Sequence, residues 1–328
     1  MKKRILLLYG GKSSEHDVSV MGYAHVHSLL RDTEYSLTPV YIDRAGVWHL
    51  DNADGTRAYL SQDGTVHAGR RRIRVDAAIP ILHGEGGEDG RIQSLLEAAG
   101  IPYVGADATA SAVSIDKFYT KAVASSLGIP TAKAVIFSRP TDTEEAYRTS
   151  LETLGLPMFI KPRRLGSSVG AYPVYTKEDF YRTFPLATEK GGGLVMVEEL
   201  VKGKREIECA YFRAGGRTVI SEPGEILING FYGYREKYGG TTALSPIADV
   251  DRDTADTVKE YARALAEALS LRHLARIDFF LVGTDVYFNE INTFPGFTHE
   301  SLYPRMLEAN GIDPKRAILS FIGDALGW

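Results

Sequence analysis

Arg276-Ile277-Asp278 and Glu290-Ile291-Asn292 set charged and amide side chains inside segments that otherwise read as buried β-strand. The flanking runs, Leu274 to Val282 and Val286 to Thr293, are rich in β-branched and aromatic residues. Gly283-Thr284-Asp285 separates them, which predicts a hairpin with a three-residue loop. With Val282 facing Val286, Asp278 lies opposite Glu290 and Arg276 opposite Asn292, all on one face because the side-chain period of a strand is two. A two-residue loop would break that alignment. Opposed β-carbons sit roughly 4.5 to 5.5 Å apart, and two carboxylates that close destabilise a sheet unless positive charge lies between them. Ligation by two carboxylates and an amide, oxygen donors only, suits Mg²⁺ or Mn²⁺ rather than zinc. The competing reading is a salt bridge of Arg276 with Asp278 or Glu290 on a solvated strand face.

A chain of 328 residues has room for two or three domains with sizeable cores. Its net charge of -4 supplies no basic field of the kind nucleic-acid binding needs, so anionic small molecules must be handled by local charge. Met1-Lys2-Lys3-Arg4 followed by Ile5-Leu6-Leu7-Leu8-Tyr9 mimics a signal peptide, but the apolar run is short and no small-residue cleavage site follows; it reads as a buried first strand. No apolar run is long enough to span a membrane, and a single cysteine, Cys209, excludes an internal disulfide framework. These features predict a cytoplasmic protein.

The first hundred residues alternate strand and helix, an α/β doubly wound pattern: Arg4 to Tyr9, a helix near Val18 to Leu30, strands near Leu37 to Ile42 and Ala77 to Leu82, and a helix from Gly90 to Ala99. Residues 106 to 200 predict a smaller α+β unit, with helices at Ser114 to Leu127 and Thr143 to Leu154 and four strands. The remainder carries strands, a Gly/Tyr-rich loop, a helix near Ala255 to Leu269, the hairpin and a terminal helical region. Domain boundaries are therefore expected at 1–105, 106–200 and 201–328.

Five further segments carry chemistry. Tyr9-Gly10-Gly11-Lys12-Ser13-Ser14-Glu15 joins a strand to a helix start, where N–H groups and the helix dipole favour an anion; Leu6 stands where a Walker loop has its first glycine. Glu15 either favours that helix start or holds a substrate ammonium. His83-Gly84-Glu85-Gly86-Gly87-Glu88 follows a strand at the edge where α/β sheets bind ligands; His83 is a site residue or a satisfied loop histidine. Lys161, with the loop Arg163-Arg164-Leu165-Gly166-Ser167-Ser168-Val169-Gly170 after it, suits a lid over phosphates, and Lys117 is a second phosphate candidate. Glu198-Glu199-Leu200, then Arg205-Glu206, could offer backbone groups to adenine and a carboxylate to ribose hydroxyls. Phe231 to Gly240 reads as an aromatic loop able to close over a site.

Taken in order from Gly10 to about Pro304, these segments resemble the D-alanine:D-alanine ligases of the ATP-grasp superfamily. The resemblance implies a three-domain ATP-grasp architecture with ATP held between the central and C-terminal domains, and two Mg²⁺ (or Mn²⁺) ions on Asp278, Glu290 and Asn292. It implies that two D-alanine molecules are joined through a D-alanyl phosphate, giving D-alanyl-D-alanine, ADP and phosphate for peptidoglycan precursor synthesis. Lys117 and Lys161 would hold phosphates, Glu198, Glu199 and Leu200 would line the adenine site, and Glu206 would contact ribose. Glu15 would bind the first substrate's ammonium, with His83 nearby, and Arg276 and the Gly296 N–H would stabilise the tetrahedral oxyanion. Ser301, Leu302 and Lys237 would receive the second carboxylate, and Glu15, Ser167 and Tyr238 would form a hydrogen-bonded triad across the closed site. Lys237-Tyr238 and Leu302 favour D-alanine as second substrate, whereas Glu300 departs from the family pattern. The family forms homodimers. A D-alanine:D-serine ligase, another ATP-grasp ligase and an inactive nucleotide-binding regulator are the alternatives.

Overall fold

The computed structural model describes residues 2–139, 141–227 and 243–327. Three sheets organise the described residues. In the first, β1 (Arg4–Gly10) is buried along nearly its whole length because it lies parallel between β2 (Ser36–Ile42) and β7 (Ala77–Ile81). Helices α1 (His16–Leu30) and α2 (Arg91–Ala98) follow strands of this parallel core. Beyond β2 the sheet continues as an antiparallel meander of β3 (Trp48–Leu50), β4 (Arg57–Leu60), β5 (Thr65–Ala68) and β6 (Arg71–Arg74). The doubly wound pattern shows only the parallel part. Strands of three or four residues are too short to display the alternation that would reveal them.

Where one helix is expected from Ser114 to Leu127, two form: α3 (Ala108–Ile115) and α4 (Lys117–Ser126). Asp116 adopts an extended conformation between them and caps α4 by accepting from the Phe118 N–H at 3.1 Å. The second sheet, in the order β10-β9-β11-β8, is antiparallel and comprises β8 (Ala134–Phe137), β9 (Met158–Pro162), β10 (Tyr172–Val174) and β11 (Val195–Glu199). It is covered by α5 (Thr143–Leu154) and α6 (Lys177–Lys190), with Met158, Ile160, Phe180, Phe184 and Val197 in their shared core. Helix α6 lies outside the sequence reading, although Thr176 and Asp179 form a full capping box at its start.

The third sheet contains β12 (Arg205–Ala214), β13 (Arg217–Ile220), β14 (Gly224–Leu227), β15 (Ala243–Ser245), β16 (His273–Val282) and β17 (Asp285–Asn292). Helix α7 (Arg252–Ala268) precedes β16, and α8 (Leu302–Ala309) and α9 (Pro314–Ala325) follow the hairpin. Alternation divides this sheet sharply. Ile207, Cys209, Ile277, Phe279 and Ile291 share a core with α7 and with Ala106, Ala110 and Ala124, so residues 106–124 pack on this sheet. The opposite face carries Glu206, Glu208, Arg276, Asp278, Glu290 and Asn292. At one end that face turns apolar, and Ala210, Phe212 and Leu274 join α8, α9 and the Ile5, Leu7, Val26 and Leu30 side chains of the first unit.

The hairpin departs from expectation in a compensated way. Val282 pairs with Asp285 across a two-residue loop, Gly283-Thr284, with Gly283 at φ 61°. That register alone would misalign the polar residues, but a bulge at Asn289 inserts one residue into β17. Asp278 therefore does face Glu290, and Arg276 faces Asn292.

Candidate active site

Asp278 and Arg276 are two positions apart on β16, hence on one face, and they form a bidentate pair at 2.8 and 2.7 Å. Glu208, opposite Asp278 on β12, approaches Arg276 at 3.1 Å. Burial works against the guanidinium charge, but Asp278 and Glu208 overcome it and hold Arg276 protonated far above its ordinary range. Glu290 is met by Lys117 at 3.1 Å. Both readings of the hairpin thus have substance: Arg276 is salt-bridged to Asp278, and the opposed carboxylates are also in place. Among the described residues no three His, Cys, Asp or Glu side chains form a ready metal cage. The Asn292 Oδ1, however, is buried without a hydrogen-bond partner, an oxygen donor such as a hard divalent cation takes.

Behind this stripe lies a second charged group. Lys117 and Lys121 stand one turn apart on α4, and Lys161 projects from β9. Glu198 on β11 receives Lys121 at 2.6 Å and Lys161 at 2.7 Å, one on each oxygen, with all three side chains at least nine-tenths buried. Burial raises the Glu198 pKa, but the two lysines more than reverse this and bring it down to about 2. Burial lowers Lys161 to about 8, against the pull of Glu198. Lys161 also donates to the Asn289 Oδ1 at 3.4 Å, so the bulge residue contributes a side chain here.

Lys117 is fixed to the lid loop, donating from its Nζ to the Leu165 carbonyl at 2.8 Å and from its N–H to the Arg163 carbonyl at 3.0 Å. The two arginines at the start of that loop bind a carboxylate. Arg163 grips the fully buried Asp116 with two bonds at 3.0 and 2.9 Å, Arg164 adds a third at 2.8 Å, and the root of the loop is thereby tied to the start of α4. Further along, Ser167 and Ser168 take left-handed conformations at φ 50° and 58°. The Ser167 hydroxyl donates to Glu15. Glu15 lies so close to Gly84 and Gly166 that a β-carbon at either would come within 2.7 and 3.1 Å of its carboxylate.

His83 is buried, with its carbonyl accepting from Ser13 at 2.7 Å and its Nε2 without a hydrogen-bond partner; burial depresses its pKa. Glu88, quoted in the motif but given no role, is a clasp: its carboxylate accepts from the Gly84 N–H at 2.7 Å and from the Phe294 N–H at 3.1 Å. Burial, aided by nearby Glu15, raises it to about 8. This holds the segment leading to Gly296 against the first sheet. A β-carbon on Gly296 would lie 3.0 Å from the Ser301 hydroxyl, which itself meets the Thr298 N–H and hydroxyl at 3.2 and 2.9 Å. Leu302 is buried at the start of α8.

Three of the residues expected at the nucleotide have partners of their own in this structure. Glu199 turns outward and accepts from the Lys133 N–H at 2.9 Å, away from the cluster. The Leu200 N–H donates to the Pro157 carbonyl at 3.1 Å. Glu206 shares the sheet face but is held by Lys204 at 2.7 Å. Lys237 and Tyr238 lie outside the described residues. Lys121, Asp116, Glu208 and Glu88 escaped assignment because isolated charged residues read as solvated; the signal was present for Lys121, four positions after Lys117 on one helix face.

Two families match the chain: "D-ala D-ala ligase N-terminus" over residues 4–106 and "D-ala D-ala ligase C-terminus" over residues 123–323. A D-alanine--D-alanine ligase A of Mesorhizobium japonicum is 36% identical, covering 99% of this chain and 98% of its own, and a D-alanine--D-alanine ligase of Oceanobacillus iheyensis is 35% identical over 98% and 94%. The crystal structure of D-alanyl-alanine synthetase A from Vibrio cholerae superposes with a TM-score of 0.91 at 33% identity over 100% of both chains. VanG D-Ala:D-Ser ligase from Enterococcus faecalis superposes with a TM-score of 0.88 at 32% identity, over 99% of this chain and 100% of its own. With both halves matched and relatives aligned end to end, the chain belongs to the D-alanine--D-alanine ligase family.

Proposed function

We propose that this protein joins two D-alanine molecules at the cost of ATP, through a D-alanyl phosphate, in the cytoplasm and for peptidoglycan precursors. The observation that carries the reading is the meeting of two separately built groups on one sheet face: the Lys117–Glu290 pair and the Arg276–Asp278 pair, held in register by the Asn289 bulge. In phosphoryl transfer the protein positions reactants and neutralises charge, which suits this population of lysines, arginine and carboxylates.

Lys117 and Lys161 hold phosphate oxygens, and Glu198 accepts from the adenine amine. Glu206 receives the ribose hydroxyls once Lys204 yields. Asp278, Glu290 and Asn292 would hold two Mg²⁺ or Mn²⁺, which would supply neutralising charge to the transferring phosphate. Glu15 holds the first substrate's ammonium, and the carboxylate of that D-alanine attacks the γ-phosphorus. The amine of the second D-alanine, its carboxylate received by Ser301, the Leu302 N–H and Lys237, then attacks the acyl carbon, and phosphate leaves. Arg276 and the Gly296 N–H stabilise the tetrahedral oxyanion. Ser167, Glu15 and Tyr238 tie the lid down. The buried, uncharged Leu302 favours D-alanine over D-serine in the second position. Functional units divide at about residues 105 and 200, and the protein is a homodimer.

The reading is tested with D-alanine labelled with ¹⁸O in its carboxylate. One label should appear in the released phosphate in step with dipeptide formation, because the acyl phosphate bridges through that oxygen. Phosphate released without label would exclude the intermediate.

A further inference from the structure

Lys121 has no role in the scheme above, yet it is among the most buried charges of the chain. Its side chain is 6% exposed, and among the described residues its ammonium meets a single carboxylate, Glu198, at 2.6 Å. Lys161 differs. It shares Glu198 at 2.7 Å but also reaches Asn289 and senses the charges of Glu290 and Lys117 toward the phosphate end. One carboxylate is thus claimed by two lysines, of which one has somewhere else to go. A triphosphate arriving beside Lys161 competes for it. Glu198 then keeps a counterion only through Lys121, and a buried carboxylate stripped of its partner would take up a proton or swing away.

We propose that Lys121 is the fixed counterion of Glu198 and, by keeping that carboxylate ionised and in place while Lys161 serves the phosphates, a determinant of nucleobase specificity. The proposal rests on the nucleotide reading given above. An ionised carboxylate only accepts hydrogen bonds, so it takes the 6-amino group of adenine and repels the 6-carbonyl of hypoxanthine. A protonated one donates and loses the distinction. Lys121 touches no substrate in this scheme; it is a positioning residue acting through Glu198.

The test compares kcat/KM for ATP and inosine triphosphate in wild type, K121M and K121R, with the KM for D-alanine alongside. K121M should cut the preference for ATP by about 10- to 100-fold, the value of a hydrogen bond to a charged group, through the nucleotide KM and with the D-alanine KM unchanged. K121R should retain most of the preference. Because K121M leaves a buried pair unbalanced, E198Q and K121M/E198Q provide a second arm. With the carboxylate already gone, adding K121M should change the ATP preference less than about twofold, as expected of two residues acting as one unit. An unchanged ATP preference in K121M, or an independent further loss in the double variant, overturns the proposal. Failure of the wild-type protein to turn over ATP with D-alanine would instead overturn the functional reading.

Discussion

Glu88 accepts the backbone N–H of Phe294 across 206 positions of sequence, and so fastens the glycine-rich loop of the first sheet to the segment that leaves the β16–β17 hairpin. Its other oxygen is committed to the Gly84 N–H, so the side chain carries two separate backbone bonds. In Glu88→Gln only one oxygen remains and the amide NH₂ cannot accept. One N–H is orphaned at a cost of about 1 to 3 kcal/mol.

The same residue gives stability a pH dependence. Its folded pKa is raised to about 8 from an ordinary 4.5, so between those values the folded protein holds a proton that the unfolded chain releases. Stability therefore falls as pH rises from about 4.5 to about 8, by an amount on the order of a few kcal/mol. Denaturant titrations should show the wild type losing stability relative to Glu88→Gln across that window. Parallel pH profiles would contradict the assignment.

Glu290→Gln removes half of the opposed carboxylate pair while leaving Lys117 hydrogen-bonded to Leu165. Turnover should drop by a factor on the order of 10² or more, with the fold retained, since charge at the proposed metal positions would stabilise the transferring phosphate. Phosphate release near the wild-type rate at millimolar Mg²⁺ would remove Glu290 from the proposed metal site.

Lys161 is held near a pKa of about 8, so above that pH a growing share of the free protein carries it neutral. In the proposed phosphate-binding role, bound nucleotide restores its proton. Nucleotide binding should accordingly take up protons between about pH 8 and 10, and affinity should decline as pH rises through that range. Calorimetry at pH 8.5 in buffers of different ionisation enthalpy reads the uptake directly. The same uptake in Lys161→Met would assign it to another group.

What could be read from the chain depended on whether a residue's role is set locally. The Asp278–Glu290 and Arg276–Asn292 pairings followed from strand periodicity, but they were reached through the wrong loop: the shorter turn and the Asn289 bulge are two shifts of one residue that cancel. Nothing in Gly283-Thr284-Asp285 distinguishes a two-residue from a three-residue loop. Arg163 and Arg164 read only as part of a basic lid loop because their partner, Asp116, lies 47 and 48 positions away and becomes visible only when β9 meets α4. Glu199 and Leu200 show the converse, since adjacent residues at a strand end face different surroundings and only Glu198 points into the cluster. The capping box of α6, Thr176 with Asp179, was legible and unread.

Lys237 and Tyr238 enter the account through the family resemblance and the proposed triad with Ser167 and Glu15. Tyr238→Phe should reduce kcat/KM for D-alanine on the order of 2- to 150-fold, from one lost hydrogen bond with or without an orphaned buried partner, and should change ATP less. Equal losses for both substrates would separate the phenol from closure over the first D-alanine.

The central claim is the identity of the product. Purified protein given ATP and Mg²⁺ with equimolar D-alanine, D-serine and D-lactate at neutral pH, its products resolved by mass spectrometry, should yield D-alanyl-D-alanine predominantly, with one ADP per bond formed. Predominant D-alanyl-D-serine or D-alanyl-D-lactate, or ADP formed without any ligated product, would contradict it.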